Sequence, residues 1–187
     1  MVRVIAGAAR GRKLKTLDKE TTKPTLDRVK EAMFSILMPY VPGARVLDLF
    51  SGNGSLGIEA LSRGAGHCVF NDFSRECVKL IKENLETVGF SDKAEIFSLD
   101  FGELIAKEAK KESDINLILL DPPYGKGLIQ EALRLFSEKV RNKEGVVAMC
   151  ESSADDELPD IIGRFEKQKE KIYGTVKLTI FVKEAEK

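Results

Sequence analysis

The chain has 187 residues, carries 30 acidic and 30 basic side chains, and is 43% hydrophobic and 32% charged. That length suits one domain with a small appendage and a sizeable core. No apolar run of about 18 residues offers a membrane span, and the short stretch before Gly7, which carries Arg3, does not make a signal peptide.

Cys68, Cys77 and Cys150 are spaced neither as zinc ligands nor as a disulfide framework, so reduced core thiols in a cytoplasmic protein are expected. His67 is the only histidine and opens a predicted strand. It reads as structural, and no metal site is expected.

The charge is uneven. Residues 1–30 carry Arg3, Arg10, Arg12, Lys13, Lys15, Lys19, Lys23, Arg28 and Lys30 against only Asp18, Glu20 and Asp27, a net +6 on a chain that is neutral overall. A basic arm on an acidic body is expected to meet a polyanion. Few aromatics interleave it, so backbone contacts are expected rather than base stacking. Within the arm, Arg3–Ala6 and Arg12–Lys15 read as a small hairpin. Pro24 then precedes a helix with Thr25 as its cap and Leu26, Val29, Met33, Ile36 and Leu37 on one face, and Pro39 and Pro42 end it.

From about Gly43 strands and helices alternate. Strands are predicted at 45–50, 67–71, 94–98, 116–121 and 145–151, and helices at 55–63, 74–88, 101–110 and 127–140. Alternation of this kind means βαβ units, a parallel sheet and helices on both of its faces. After Pro159, Arg164–Ile172 and Thr175–Lys183 read as an antiparallel hairpin turning at Tyr173–Gly174.

The first strand runs straight into Gly52, Asn53, Gly54 and Gly57, then an apolar-periodic helix. This is the context in which a glycine-rich loop binds a ligand at a helix N-terminus. Asp48 at the strand end is a poor neighbour for a pyrophosphate, since unit charges about 4 Å apart repel by roughly 4 kcal/mol at an effective dielectric near 20. It suits a ligand bearing an ammonium and a sulfonium, and S-adenosylmethionine is such a ligand.

Ligands in doubly wound sheets sit beyond the carboxyl ends of the strands. The second strand ends in Asn71-Asp72-Phe73, with Asp72 placed to bond a ribose. The third ends in Asp100-Phe101, a carboxylate for an adenine amino group and a ring to lie against it. Phe50 and Ser51 complete the expected cofactor set. Asp72 and Asp100 would alternatively be helix caps.

The fourth strand, Asn116–Leu120, ends in Asp121-Pro122-Pro123-Tyr124. Two prolines remove two N–H donors and stiffen the turn. A carboxylate, a fixed carbonyl and an aromatic face then converge, which suits a planar base bearing an exocyclic amine. The acceptors take the amine's hydrogens and direct its lone pair at a methyl donor, while Asp121 stabilises the developing positive charge.

The glycine loop D-L-F-S-G-N-G-S-L-G at 48–57 together with D-P-P-Y resembles S-adenosylmethionine-dependent amino-methyltransferases. More narrowly, the chain resembles the bacterial 16S rRNA guanine-N2 methyltransferase family. The matching pieces are R-V-I-A-G-x-x-R-G-R-x-L at 3–14, T-K-P-T-x-D-R-V-K-E-A-M-F-S-I-L at 22–37, G-I-E-A-L-S-R-G-A at 57–65, L-I-K-E-N-L at 80–85 and Y-G-T-V-K-L-T-I-F at 173–181. The resemblance implies an α/β, Rossmann-like methyltransferase fold with a mostly parallel seven-stranded sheet, a C-terminal antiparallel hairpin and a small N-terminal extension.

It also implies an RNA-contacting extension at 1–42, using Arg3, Arg10, Arg12, Lys13 and Arg28, and a methyltransferase domain at 43–187. The substrate would be one guanine of small-subunit RNA, within a subunit or an assembly intermediate, and the protein is expected to act as a monomer. A DNA adenine-N6 methyltransferase uses the same acceptors but usually needs a target-recognition domain for which there is no room. A non-catalytic RNA-binding assembly protein would not need Asp121, and a nicotinamide oxidoreductase is disfavoured by Asp48.

Overall fold

The computed structural model describes residues 2–17, 24–110, 113–142 and 145–185, the side chains of 24–26 excepted. In chain order the elements are β1 (Val2–Arg3), β2 (Lys13–Leu14), α1 (Pro24–Leu37), β3 (Arg45–Asp48), α2 (Ser55–Ser62), β4 (His67–Asn71), α3 (Arg75–Val88), β5 (Ala94–Phe97), α4 (Phe101–Glu108), β6 (Leu117–Leu120), α5 (Leu128–Lys139), β7 (Val146–Ser153), β8 (Ile161–Ile162), β9 (Phe165–Tyr173) and β10 (Val176–Lys183). The main sheet is ordered β5-β4-β3-β6-β7-β10-β9-β8. Strands β3 to β7 pair in parallel, and β8, β9 and β10 close the far edge antiparallel. The seven expected strands are present, and the two-residue β8 adds an eighth.

The buried strands face both ways. Val46 belongs to one apolar cluster and Leu47 and Leu49 to the other, as the period of two along a strand requires. One face is covered by α1, α2 and α3 through Val29, Met33, Phe34, Ile58, Leu61, Ile81 and Leu85. The other is covered by α4 and α5 through Leu104, Ile105, Leu133 and Phe136. The β9–β10 turn places Gly174 at φ +65° at the first position of a two-residue loop, the conformation this hairpin turn demands.

The N-terminal hairpin is shorter than expected, and the reason is visible. Ile5 and Ala6 do not pair across it. Their N–H groups donate instead to the two oxygens of Glu59, at 2.8 and 3.0 Å. Glu59 is wholly buried in α2 and also holds Arg63 Nε at 2.7 Å, with Lys30 Nζ at 3.5 Å. Ser62 ties Ala6 and Ala9 to the same helix. Val4, Ala9 and Leu14 sink into the cluster that holds Val46 and Ile58, so the arm is part of one packed face.

Helix α1 already includes Pro24, so Thr25 stands inside its first turn rather than before it, and the side chains of Thr25 and Leu26 lie outside the described ones. The charged residues Asp18, Lys19, Glu20 and Lys23 also lie outside the described residues. Cys68 and Cys150 are buried free thiols and Cys77 is a half-buried one. His67 opens β4, as expected, with its Nε2 3.2 Å from Glu95. No described helix is long and apolar enough to cross a membrane.

Candidate active site

The parallel strands deliver their carboxyl ends to one edge of the sheet, and strand order reverses between β3 and β6. That switch point is where a crevice opens in such sheets, and two cavities meet there, sharing Gly52 and Asp121.

The first, of about 610 Å³, is lined by Phe50, Gly52, Asn71, Asp72, Phe73, Asp100, Phe101 and Asp121–Tyr124, with Leu49, Leu99 and Leu128. We call it the aromatic cavity. Phe50 and Phe101 pack with their ring centroids 5.5 Å apart, and Phe73 stands 82% exposed on the rim. Asp72 accepts from Gly52 N and from Ser74 N, both at 2.8 Å. Asp100 caps α4 by accepting from Gly102 N. Asp100 therefore acts as a cap and still lines the cavity, so its two readings are compatible. Helix α3, by contrast, is capped by Ser74, whose hydroxyl accepts from Cys77 N, and Asp72 is no helix cap. Asn71 is buried and spends its amide on the carbonyls of Leu49 and Leu99, which leaves Asp72 as the acid facing the ligand space.

The glycines of the loop have different tasks. Gly52 and Gly54 adopt φ +54° and +81°, where a side chain is strained. A Cβ on Gly52 would meet nothing within 4 Å, so the space over it is open. Gly57 lies inside α2 with an ordinary helical backbone. A Cβ there would sit 2.3 Å from the Phe70 ring, so this glycine serves the close packing of α2 on β4 rather than the turn.

Asp48 departs from its expected place. Its carboxylate lies under the loop, 1% exposed, accepting from Gly57 N at 2.9 Å, and it lines neither cavity. Burial raises its pKa to about 7, with help from the Asp72 charge and against the Gly57 N–H and Ser51 hydroxyl. Ser51 sits beside it, its hydroxyl donating to the Asp48 carbonyl and accepting from Asn71 N. Asp48 and Ser51 thus shape the loop from beneath.

The second cavity, of about 330 Å³, lies on the other side of Asp121. We call it the arm cavity. Its wall comes from the arm (Val2, Thr16, Leu17), from α1 (Asp27, Val29, Lys30), and from the loop and α2 (Gly52, Asn53, Ser55, Leu56), with Cys77 and Leu80 of α3 and the carboxylates Asp121 and Glu151. Buried Asn84 joins arm to loop. Its Oδ1 accepts from Lys15 N at 2.8 Å, and its Nδ2 donates to the carbonyls of Lys15 and Asn53.

Glu151 is a site residue that the strand-end reading passed over. It is the first polar residue after the buried run Val146–Cys150, and that signal would have found it. The register pairs Leu120 with Cys150, so Asp121 and Glu151 emerge side by side from neighbouring strands. Tyr124 Oη donates to Glu151 Oε1 at 2.8 Å. Asp121 is open to the cleft, yet its carboxylate is set among packed atoms, so desolvation first, then the charges of Glu151 and Asp48, raises its pKa well above the ordinary range. Burial raises Glu151 too. Burial and the neighbouring Glu151 also hold the Tyr124 phenol protonated far above neutrality. Pro122 is buried, and Pro123 and Tyr124 are exposed.

Of the basic arm residues, Arg3 and Arg10 line a surface groove of about 580 Å³ with Glu31, Phe34, Met38 and Arg63. Arg3 also pairs with Asp27 at 3.0 Å. Arg12 and Lys13 are exposed on the hairpin and Arg28 is exposed on α1. Among the described residues no group of three or more His, Cys, Asp or Glu is arranged to hold a metal ion.

Residues 2–182 match the family model described as Conserved hypothetical protein 95. The chain belongs to this family. It is 37% identical over 182 residues to "Putative rRNA methyltransferase YlbH" of Bacillus subtilis, covering 97% of this chain and 99% of that one. It is 39% identical over 161 residues to "Ribosomal RNA small subunit methyltransferase D" of Haemophilus influenzae, covering 84% and 81%. The solved structure of "Putative methyltransferase yhhF" from Escherichia coli superposes with a TM-score of 0.85 at 29% identity, over 99% of both chains.

The donor set of the aromatic cavity fits S-adenosylmethionine. Carboxylates at Asp72 and Asp100 suit hydroxyl and amino hydrogens, and Phe50, Phe73 and Phe101 suit a purine ring. The open space over Gly52 lets a charged chain pass close to the backbone toward Asp121. The volume lies within the roughly 300–1,000 Å³ usual for such ligands.

Proposed function

We propose that this protein transfers a methyl group from S-adenosylmethionine to the exocyclic N2 amine of a guanine in 16S ribosomal RNA, within a small subunit or its assembly intermediate, in the cytoplasm. The observation that carries the reading is Asp121 standing where the aromatic and arm cavities meet, with Pro122, Pro123 and Tyr124 following it in the wall of the aromatic cavity. The names of the Bacillus and Haemophilus relatives support ribosomal RNA as the substrate class.

In this reading Phe50, Gly52, Asn53, Gly54, Asp72, Phe73, Asp100 and Phe101 hold the donor, and Asp48 and Ser51 support the loop from below. Bound there, S-adenosylmethionine supplies an electrophilic methyl group carried on a sulfonium. Asp121 accepts a hydrogen from the target amine and holds its lone pair toward the aromatic cavity. As the new N–C bond forms, the methyl group's bond to sulfur breaks, its electron pair staying on what becomes a neutral thioether. The amine becomes positively charged, and the Asp121 carboxylate would stabilise that charge and then accept the proton that leaves. The Pro122 carbonyl takes the second amine hydrogen, and Pro122 and Pro123 bring no N–H of their own to compete for it. Tyr124, steadied by its bond to Glu151, gives the base a flat surface.

Residues 1–42 act as the RNA-contacting extension, with Arg3, Arg10, Arg12, Lys13 and Arg28 on the phosphates, and residues 43–187 as the methyltransferase domain. The protein works as a monomer.

Labelled S-adenosylmethionine, offered with undermethylated small subunits, free 16S RNA or DNA, tests this. Label recovered as N2-methylguanine from ribosomal RNA is the expected result. Label entering only DNA, or only adenine, overturns it.

A further inference from the structure

Glu151 is only 8% exposed and lines the arm cavity beside Asp121. One of its oxygens, Oε1, is engaged by the Tyr124 hydroxyl. Among the described residues no donor is bonded to Oε2. The lysine of this cavity is committed elsewhere, since Lys30 Nζ donates to the Arg3 carbonyl at 2.6 Å and to Ser55 Oγ at 3.0 Å. A buried carboxylate with one oxygen free, facing a ligand space and lacking a cation, is costly unless a ligand donor arrives.

The purines differ at the edge such a pair would meet. Guanine presents N1–H beside its N2 amine, two adjacent donors. Adenine presents a bare N1 acceptor beside its amine. Two carboxylates on neighbouring strand ends, both acceptors when ionised, complement the first edge and set a lone pair against a lone pair at the second.

We propose that Glu151 accepts the N1–H of the target guanine while Asp121 holds the N2 amine, which makes Glu151 the residue that selects guanine. The inference rests on the reading of the site as a guanine-N2 methyltransferase. Tyr124 links the two tasks, because the hydroxyl that fixes one oxygen of Glu151 belongs to the ring on which the base lies. A site built around a substrate N–H discriminates strongly against analogues lacking it, because its own buried acceptor is then left unpaired.

The test uses small subunits reconstituted with guanine or 2-aminopurine at the mapped methylated nucleotide. 2-Aminopurine keeps the 2-amine but has a bare N1 and no O6. The wild-type protein should prefer guanine in kcat/KM by about 10–100-fold, the size of one hydrogen bond to a charged group. Glu151→Gln should erase or invert that preference, because its carboxamide can donate to the bare N1. Glu151→Ala should lose activity on guanine without gaining any on 2-aminopurine. Affinity for S-adenosylmethionine, measured by calorimetry, should stay unchanged in both variants.

If Glu151→Gln lowers both substrates equally, Glu151 only steadies Tyr124 and the inference is overturned. Loss of S-adenosylmethionine affinity would move Glu151 to the donor site, with the same consequence. If the wild-type protein methylates no guanine at all, the underlying reading fails. If it does and the preference survives in Glu151→Gln, this inference alone fails.

Discussion

The aromatic cavity and the arm cavity share Gly52 and Asp121, yet they are assembled in different ways. The aromatic cavity is made of residues at or just beyond the ends of four parallel strands, and its acids are fixed by neighbours close in sequence, as Asp100 is by Gly102 and Asp72 by Ser74. The arm cavity draws its wall from pieces far apart in the chain. It exists because Glu59 and Asn84 reach more than 50 positions back to pin the arm. A site whose parts are local is stable wherever the sheet forms, whereas one built from distant parts depends on a few buried polar ties.

The sharpest way to break the comparison is Glu59→Ala. It leaves the Ile5 and Ala6 N–H groups without their acceptor and the buried Lys30 without the counter-charge of Glu59, and burial already pulls Lys30 below its ordinary pKa. Urea unfolding should register a loss of about 3–5 kcal/mol. Under conditions where the variant is folded, methylation of RNA should fail before S-adenosylmethionine binding does. Equal loss of both would mean that the cavities are not separately built.

The aromatic side has its own signature, in pH. Asp48 rises from its ordinary 3.8 to about 7 in the folded protein. Between those values the folded state holds a proton that the unfolded chain has lost, so this group makes stability fall as pH climbs through the window and level off above it. Asp48→Asn should remove its share of that slope, at most on the order of 4 kcal/mol. The raised Asp121 and Glu151 contribute in the same sense and remain. Chemical denaturation of both proteins at a series of pH values checks this, and parallel curves would place the Asp48 carboxylate in water.

At the junction, Asp121→Ala should lower single-turnover methylation by about 10²–10³-fold, the usual cost of removing one group that stabilises developing charge. S-adenosylmethionine affinity should persist. A matching loss of donor affinity would assign Asp121 to the aromatic cavity alone.

The smallest effect belongs to the exposed arm. Charge reversal at Arg10 and Arg12 should weaken RNA binding, and it should reduce the slope of log K against log salt by about one for each phosphate no longer neutralised. An unchanged slope would remove the hairpin from the RNA interface.

Much of this is legible in the sequence alone. A parallel sheet sends every strand end to the same edge, so the acids after β4, β5 and β6 could be gathered from spacing alone. Asp72, Asp100 and Asp121 all line the crevice. Asp48 obeys the same rule of placement but not of direction. Its side chain turns under the loop to meet Gly57 N, and no periodicity encodes that. Gly57 reads as a turn residue in the sequence, whereas in the fold it is the close approach of Phe70 that requires it.

The alternating apolar runs, the breaking prolines and the glycine loop were sufficient to determine the α/β architecture, its order of elements and one wall of the crevice, because hydrophobic periodicity and turn chemistry act over short stretches of chain. The pairing of Glu151 with Asp121, the burial of Glu59 beneath the arm and the meeting of Lys15 with Asn53 through Asn84 were decided only in three dimensions. Each depends on strand register or on a hydrogen bond between residues tens of positions apart, and a buried polar group finds its partner only once the surrounding core has excluded water.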